Sequence, residues 1–288
     1  MNKPTILIQI DTDADASVFD AVVAVDSGVN HLLQYAAVEP ASVRGLVHGA
    51  IFTRGMKDLH QTAIFLGGSQ VGLGEQMLRS VLDSFVGPLR VSVMMDANGS
   101  NTTAAAAVLA ASRHVPLADV TALVLAGTGP VGQRAVRLLA RAGASVRVSS
   151  RQLDKAAEVC QAIRTVIPEA KLTPCVTSSD DQLAEHLEGA NVVIAAGAAG
   201  VQLVPQRVWQ TASALRVAID LNAVPPLGIE GTQVMDRAVE RDGVTCYGAI
   251  GVGGDKMKIH KAALRRLFER NDQVLDAEAI FAIAQSLT

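Results

Sequence analysis

Short apolar runs alternate with longer segments of helical periodicity along this 288-residue chain. The runs that predict strands lie at residues 5–10, 32–36, 63–66, 90–95, 120–126, 145–149, 172–176, 192–195 and 217–221. The patterns that predict helices lie at residues 17–25, 41–50, 74–85, 101–114, 131–142, 153–166, 255–270 and 276–287. Strands that alternate with helices form parallel sheets through right-handed crossovers, so the pattern predicts an α/β fold.

Composition narrows the class of protein further. Hydrophobic residues make up 49% of the chain but aromatic residues only 3%, so the core must be aliphatic. The net charge is −3 and no long Lys/Arg run occurs, which argues against nucleic-acid and membrane-surface binding. No signal peptide or membrane helix is indicated, and Cys160, Cys175 and Cys246 lack a CxxC spacing. We therefore expect a cytoplasmic protein without a disulfide framework.

A glycine-rich motif follows the apolar run that ends at Ala126. It reads Gly127-Thr128-Gly129-Pro130-Val131-Gly132 and opens the helical pattern at residues 131–142. Between a strand and a helix, such glycines allow a tight turn and a close approach of the main chain to a pyrophosphate. The helix N-terminus attracts the phosphates. The motif therefore predicts a Rossmann-type dinucleotide-binding domain.

The end of the next predicted strand distinguishes between two dinucleotides. NAD-binding domains usually carry an acidic residue there for the ribose 2′-hydroxyl, whereas this chain reads Ser149-Ser150-Arg151. Ser150 can donate a hydrogen bond to a 2′-phosphate and Arg151 can pair with it. Lys155 adds positive charge one turn into the following helix. These residues favour NADP over NAD.

Two further strand ends are candidates for the same cofactor site, because strand carboxyl ends meet at one crevice in such folds. Ala196 and Gly197 lack bulk, which suits a nicotinamide ring that lies against the main chain. Asp220 and Asn222 end the next strand. An ordinary loop is the alternative explanation for both segments.

Candidate substrate residues lie in two other segments. Short polar side chains are concentrated in Asp96-Ala97-Asn98-Gly99-Ser100-Asn101-Thr102-Thr103, where helix capping explains some of them and binding could explain the others. Lys256 and His260 share one face of a predicted helix start, although a solvated face would also explain them. Glycines at 248, 251, 253 and 254 predict a flexible approach to this helix. No clustered metal ligands occur, and hydride transfer needs none.

Several longer segments carry a resemblance to one family. They are DTDADASVFD at residues 11–20, FTRG at 52–55, TAIFLGG at 62–68, DANGSNTTAAA at 96–106, LAGTGPVG at 125–132, PPLGI at 225–229 and GVGGDKMKIH at 251–260. Through them the whole chain resembles the NADP-dependent methylene-tetrahydromethanopterin dehydrogenases, which also accept methylene-tetrahydrofolate. The resemblance implies a homotrimer of two-domain α/β subunits, with a pterin cleft between the Rossmann-type domain and a smaller substrate domain.

The expected domains are a pterin-binding domain at residues 1–110, to which residues 255–288 return, and an NADP-binding domain at residues 111–254. By motif position, the resemblance implies four active-site residues, Phe19, Thr103, Lys256 and His260. We further expect three other residues, Asp20, Asn98 and Thr102, to bind the pterin. The implied reaction is reversible hydride transfer from the methylene carbon to NADP, which leaves the methenyl form. Asp255 stands where an apolar residue is expected and predicts a different charge beside Lys256.

Two other functions stay open at this point. The first is an NADP dehydrogenase for a shikimate-like hydroxy acid, which would use a Lys/Asp pair in the first domain. Lys57-Asp58 is adjacent in sequence but forms no recognisable motif. The second is a non-catalytic, NADP-binding regulatory protein, against which the presence of the four implied active-site residues argues.

Overall fold

The computed structural model describes residues 3–287, and the chain divides into two compact units. Unit 1 comprises Met1–Thr102 and Met257–Thr288, and unit 2 comprises Thr103–Lys256. The first division lies earlier in the chain than the boundary expected after residue 110. It falls inside an Ala-rich helix that is buried along most of its length, so the sequence there has no change of composition to indicate a boundary.

Unit 1 is built on a five-stranded parallel sheet with the order β12-β4-β3-β1-β2. Its strands are β1 (Ile6–Ile10), β2 (His31–Tyr35), β3 (Thr62–Leu66), β4 (Ser92–Met95) and β12 (Val274–Leu275). Its helices are α1 (Val18–Asp26), α2 (Arg44–Phe52), α3 (Val71–Asp83) and α10 (Ala277–Gln285), with the start of α4 (Ser100–Ser112). The aliphatic core that the composition predicts packs between α2, α3 and the buried strands β3 and β4.

The sequence of α1 predicts that Val18, Phe19, Val22 and Val23 form one buried face, and this prediction is wrong in part. Val23 is buried, but Val18 and Val22 are 75% and 54% exposed, and Phe19 is also exposed. The helix packs through Val23 and Ala24 instead. Because nearly every face of α1 is apolar, its sequence does not indicate which face meets the sheet.

Unit 2 contains a seven-stranded sheet with the order β10-β11-β9-β8-β5-β6-β7. Its strands are β5 (Thr121–Leu125), β6 (Ser145–Ser150), β7 (Lys171–Val176), β8 (Val192–Ala195), β9 (Val217–Asp220), β10 (Arg237–Arg241) and β11 (Val244–Tyr247). Its helices are α5 (Pro130–Arg141), α6 (Leu153–Val166), α7 (Asp180–Leu187), α8 (Gln206–Trp209) and the first part of α9 (Ala249–Arg266). The first strand, β5, lies between β6 and β8, as in a Rossmann-type sheet.

One edge of the unit 2 sheet was not predicted. Strands β10 and β11 form an antiparallel hairpin, whereas the other neighbouring strands of this sheet pair in parallel. The side chains of β10 are mostly exposed, so its sequence lacks the apolar run by which the parallel strands are recognised.

Helix α9 begins at Ala249, earlier than the predicted start near residue 255. The glycines expected to form a flexible approach therefore lie in the helix or just before it. Gly248 and Gly251 serve close packing: an added Cβ would lie 2.0 Å from the carbonyl oxygen of Gln233 and 1.8 Å from that of Asp236, respectively. As a result, Lys256 lies within the helix and not at its start.

We predict opposite effects for Gly251→Ala and Gly253→Ala. A methyl group at 251 overlaps the main chain at Asp236, which should lower the free energy of unfolding by about 1–3 kcal/mol. A methyl group at 253 meets nothing within 4 Å and should stabilise the helix by up to ~1 kcal/mol. Urea unfolding of both variants measures the difference, and equal stabilities would contradict the packing described for α9.

Candidate functional site

The carboxyl edge of the unit 1 sheet brings together segments that are distant in sequence. Asp11 follows β1, and Asp96 follows β4; both residues are buried. Asp11 accepts hydrogen bonds from the main-chain N–H groups of Asp13 and Ser17, each at 3.1 Å. Asp96 accepts from the main-chain N–H groups of Asn101 at 2.9 Å and Thr102 at 3.0 Å. These carboxylates hold the loops of the edge in shape.

In the polar segment at residues 96–103, some side chains stabilise the loop and others are exposed and could bind a substrate. The hydroxyl of Thr102 is buried and donates to Asp96 Oδ2 at 2.6 Å, so capping describes Thr102 better than substrate binding. Asn98 is exposed and has a left-handed backbone with φ 53°. Its main-chain N–H donates to the carbonyl of Gly68 at 2.7 Å, which fixes the residue beside the end of β3.

Two aromatic rings lie beside the imidazole of His260 in unit 1. This residue is 1% exposed, and its ring stacks on Phe65 with 5.7 Å between centroids. The ring of Phe19, which is 51% exposed, lies 6.4 Å from the same imidazole. The structure thus brings together Phe19 and His260, and the burial of His260 excludes the solvated-face alternative for it. Phe65 was missed because an aromatic residue in a buried strand is expected to be core.

Asp20 lies at the start of α1, beside Phe19. Ser17 caps this helix, with its hydroxyl oxygen accepting from the main-chain N–H of Asp20 at 3.2 Å. Burial raises the pKa of the Asp20 carboxyl, and the neighbouring carboxylates of Asp96 and Asp11 act in the same direction. His260 and the Ser17 hydroxyl lower that pKa, but the net shift of the pKa is upward. Asp20 is therefore close enough to His260 for their charges to interact.

Thr103 and Lys256 lie in unit 2, in α4 and α9, and both are half-buried. Helix geometry puts Lys256 and His260 on one face of α9, since four residues separate them. Neighbouring Asp255 is 4% exposed and pairs with Arg113 at 2.5 Å and with Arg237 at 3.2 Å. The negative charge of Asp255, which was expected to act on Lys256, is thus balanced by Arg113 and Arg237 within unit 2.

The glycine-rich turn of unit 2 joins β5 to α5. An added Cβ on Gly127 would lie 2.8 Å from Val148 Cγ1, and one on Gly132 would lie 2.4 Å from the carbonyl oxygen of Ala126. These two glycines allow the helix to pack closely on the sheet. Gly129 precedes the first residue of α5, and the nearest atom to its added Cβ is the Ala126 carbonyl oxygen at 3.3 Å. This geometry fits a main chain that approaches a pyrophosphate at the helix N-terminus.

The other residues of the glycine-rich motif and the residues at the end of β6 are partly or fully exposed to solvent. Thr128 and Val131 are half-buried and Pro130 is exposed, and the carbonyl of Thr128 accepts from the Gln133 side chain at 2.6 Å. Ser150 is half-buried and Arg151 is exposed. Contact of Ser150 and Arg151 with a 2′-phosphate stays a prediction.

Lys155 is less suited to that role than expected. Its ammonium group pairs with Glu158 at 2.9 Å on the exposed surface of α6. Exposed pairs of this kind are weak, so Lys155 could exchange partners, but the carboxylate offsets the charge that it was expected to add.

The candidate cofactor residues at the ends of β8 and β9 differ in how far they are buried. Ala196 and Gly197 are half-buried at the end of β8. Asn222 is buried: its side-chain oxygen accepts from the N–H of Val224 at 2.9 Å, and its amide donates to the carbonyl of Pro226 at 2.9 Å. The ordinary-loop alternative therefore accounts for the Asn222 side chain, whereas Ala196 and Gly197 stay candidates for the nicotinamide side.

Residues 3–287 contain no group of three or more His, Cys, Asp or Glu side chains that could hold a metal ion. Across the same residues, no helix combines the length and the apolar character that crossing a bilayer demands.

Two α/β units, one of them with a glycine-rich turn from its first strand into a helix, define the class of two-domain dinucleotide-binding dehydrogenases. Residues 116–229 match the family model described as putative NAD(P)-binding. Residues 18–98 match the model of the N-terminal part of methylene-tetrahydromethanopterin dehydrogenase. The chain is 43% identical over 284 residues to the "Bifunctional protein MdtA" of Methylorubrum extorquens, with 98% of each chain covered. This chain therefore belongs to the methylene-tetrahydromethanopterin dehydrogenase family.

A second relative supports this family assignment, and a solved structure shares the fold of the chain. The NAD(P)-dependent methylenetetrahydromethanopterin dehydrogenase of the same organism is 29% identical over an alignment that covers 93% of each chain. Shikimate 5-dehydrogenase from Listeria monocytogenes, solved with shikimate and NAD, aligns with a TM-score of 0.57. That alignment covers 99% of this chain and 96% of the other at 12% identity, so it shows a shared fold alone.

We predict that Asp20→Asn stabilises the protein at neutral pH. A carboxyl with a raised folded-state pKa costs no stability below its ordinary pKa of 3.8 and lowers stability as the pH rises through its folded-state value. The gain should therefore be present at pH 7 and absent near about pH 3.5. Thermal melting across this range measures it. Asp15→Asn, at an exposed position of the preceding loop, is the control; no gain for Asp20→Asn at pH 7 would contradict the burial cost.

Proposed function

We propose that this protein catalyses reversible hydride transfer from methylene-tetrahydromethanopterin to NADP, leaving the methenyl form, as a step of one-carbon metabolism. We propose that it also accepts methylene-tetrahydrofolate. The observation that carries the proposal is the half-exposed ring of Phe19 beside the buried ring of His260 in unit 1. This arrangement offers an aromatic surface for a flat heterocycle and a polar group next to it.

The bound cofactor supplies the hydride acceptor, C4 of the nicotinamide. The methenyl cation is stabilised by its own two nitrogens, so the reaction needs no side chain as an obligatory base. The task of the chain is to orient the substrate ring and to exclude water. We assign packing against the ring to Phe19, and hydrogen bonds to the polar edge of the pterin to Asp20, Asn98 and Thr103.

Charge restricts the place of Lys256. A permanent positive charge next to the reacting carbon would oppose formation of the cation. We therefore assign Lys256 to a carbonyl or ring nitrogen of the pterin, away from that carbon. His260 orients the ring from its stacked position on Phe65, and Asp20 supplies nearby negative charge when it is ionised.

The preference for NADP rests on the end of β6. Ser150 and Arg151 stand there, and no carboxylate occupies the position that would repel a 2′-phosphate. Gly127 and Gly132 let α5 pack closely on the sheet, and Gly129 leaves the main chain of the turn free to approach the pyrophosphate. Ala196 and Gly197 border the nicotinamide in this proposal.

We predict that Arg151→Ala weakens NADP binding by about tenfold to a hundredfold, because a charged hydrogen bond worth ~1.5–3 kcal/mol is lost. NAD binding should change little, since NAD lacks the phosphate. Titration with each dinucleotide measures both constants. Arg207→Ala, at an exposed ion pair of the same unit, is the control; an equal loss of NAD affinity in Arg151→Ala would refute the 2′-phosphate contact.

We predict turnover when NADP is mixed with methylene-tetrahydromethanopterin or methylene-tetrahydrofolate, measured as the absorbance of NADPH. Lys256→Ala should lower kcat/KM by about tenfold to a hundredfold through loss of a charged contact of ~1.5–3 kcal/mol. The control is Lys258→Ala, at an exposed position of the same helix. Absence of turnover with both carriers would refute the proposed activity.

We further propose a cytoplasmic homotrimer. Exposed apolar side chains on α1 and on the edge strand β2 support self-association, because contiguous apolar surface is costly in water. These side chains are Val18, Val22, Val25, Leu33 and Tyr35. The cytoplasmic location is supported by Cys160, Cys175 and Cys246, which are free and buried.

The two alternative functions have less support. Lys57 and Asp58 precede β3, so they lie at the amino edge of the sheet, opposite the residues gathered around His260. Asp58 pairs there with Lys3 at 3.4 Å. A shikimate-like substrate therefore has no acid–base pair at these positions. A non-catalytic NADP-binding protein would bind NADP without turnover, and the assay above distinguishes it.

A further inference from the structure

An ion cluster in unit 2, centred on the buried carboxylate of Asp255, joins the first half of α9 to two other elements through arginines that are partly exposed. Asp255 Oδ2 accepts from Arg113, in the turn directly after α4, at 2.5 Å, and Asp255 Oδ1 accepts from Arg237, at the start of β10, at 3.2 Å. Beside them the hydroxyl of Tyr247 lies 2.8 Å from His114 Nε2. The Asp255 hydrogen bond, more than any other contact, raises the pKa of Arg113. The carboxylate therefore has a counter-charge on each of its oxygens.

The same face of α9 is held at a second point. Gly251 precedes Asp255 by four residues, one turn of helix, so both lie on one face. At Gly251 the helix approaches the Asp236 carbonyl so closely that a methyl group could not be accommodated, and Asp236 is the neighbour of Arg237. Main-chain packing and an ion pair thus fix this face of α9 against a single segment, residues 236–237.

This double attachment restricts rotation of the helix about its axis. Consecutive helical residues point about 100° apart, so the direction of Asp255 determines the direction of Lys256. The carboxylate of Asp255 is buried, so a displacement that separated it from its arginines would leave a buried charge without its counter-charges. A small rotation of α9 is therefore opposed at Asp255 and would move Lys256 directly.

We propose that Asp255 is a positioning residue for Lys256: its ion pairs with Arg113 and Arg237 set the rotation of α9 and hence the direction in which the lysine side chain leaves the helix. This role rests on the proposed function, because it requires that Lys256 contacts the substrate. Asp255 itself touches Arg113 and Arg237 and has no chemical part in hydride transfer. Its charge stabilises the geometry of the site from within unit 2.

The test is a double-mutant cycle between Asp255→Asn and Lys256→Ala. Asparagine keeps the shape of the side chain and removes its charge. In the otherwise unchanged protein, Asp255→Asn should lower kcat/KM for the pterin by about tenfold to a hundredfold, as expected for a displaced substrate-positioning group. In the Lys256→Ala background it should change kcat/KM by less than about twofold, because no lysine is left to misplace.

The control is Asp180→Asn, which removes an ion pair of the same 2.5 Å length with Arg207 at an exposed site of unit 2. It should leave kcat/KM unchanged. The affinity for NADP and the melting temperature are measured for every variant, so that a loss of folded protein is recognised. Asp255→Asn should retain NADP affinity within about twofold, since the glycine-rich turn is separate from the cluster.

The outcomes are distinct. An Asp255→Asn effect that disappears in the Lys256→Ala background supports the proposal. Equal effects in both backgrounds, or a change in melting temperature without a change in kcat/KM, overturn it and leave the proposed activity intact. Absence of turnover in the unchanged protein overturns the proposed activity, and with it this role of Asp255.

Discussion

Parallel strand pairing is the constraint on which both units depend. Strands that run in one direction release their chains at the same edge, and each crossover must return along a helix. In unit 1 this brings the loop after β1 beside the loops after β3 and β4, although long helical segments separate them in sequence. The polar ends of these loops lie at that edge because the strands before them are buried on both faces.

Buried carboxylates make such loops rigid. Asp11 and Asp96 in unit 1, and Asp220 in unit 2, each accept hydrogen bonds from main-chain N–H groups of the chain that follows their strands. Asp255 has a different task, since its partners are the guanidinium groups of two arginines. Asp20 differs from all of these, because burial raises its pKa and its neighbour is His260.

The sequence was informative where a local pattern has one physical meaning. The turn at residues 127–132 requires glycine because an added Cβ at Gly127 or Gly132 meets the neighbouring strand or turn. Helix α6 and strand β8 lie at their predicted bounds, since turn residues flank each apolar pattern. The pattern failed at α1, which is apolar on most faces, and at β10, whose side chains are mostly exposed. At the candidate site, Phe19 and His260 were predicted, whereas Phe65 was not.

By itself the sequence determined the α/β class, the dinucleotide turn and the family, because these depend on periodicity, on glycines and on long matching segments. Only the tertiary structure decided which polar residues are structural. Thr102 and Asn222 looked like ligands of a small molecule, yet each is buried and hydrogen-bonded to neighbouring protein groups. The tertiary structure also decided the role of Gly251, which packs closely against the main chain of Asp236. Burial and hydrogen-bond partners depend on residues that are remote in sequence, so no local pattern can contain them.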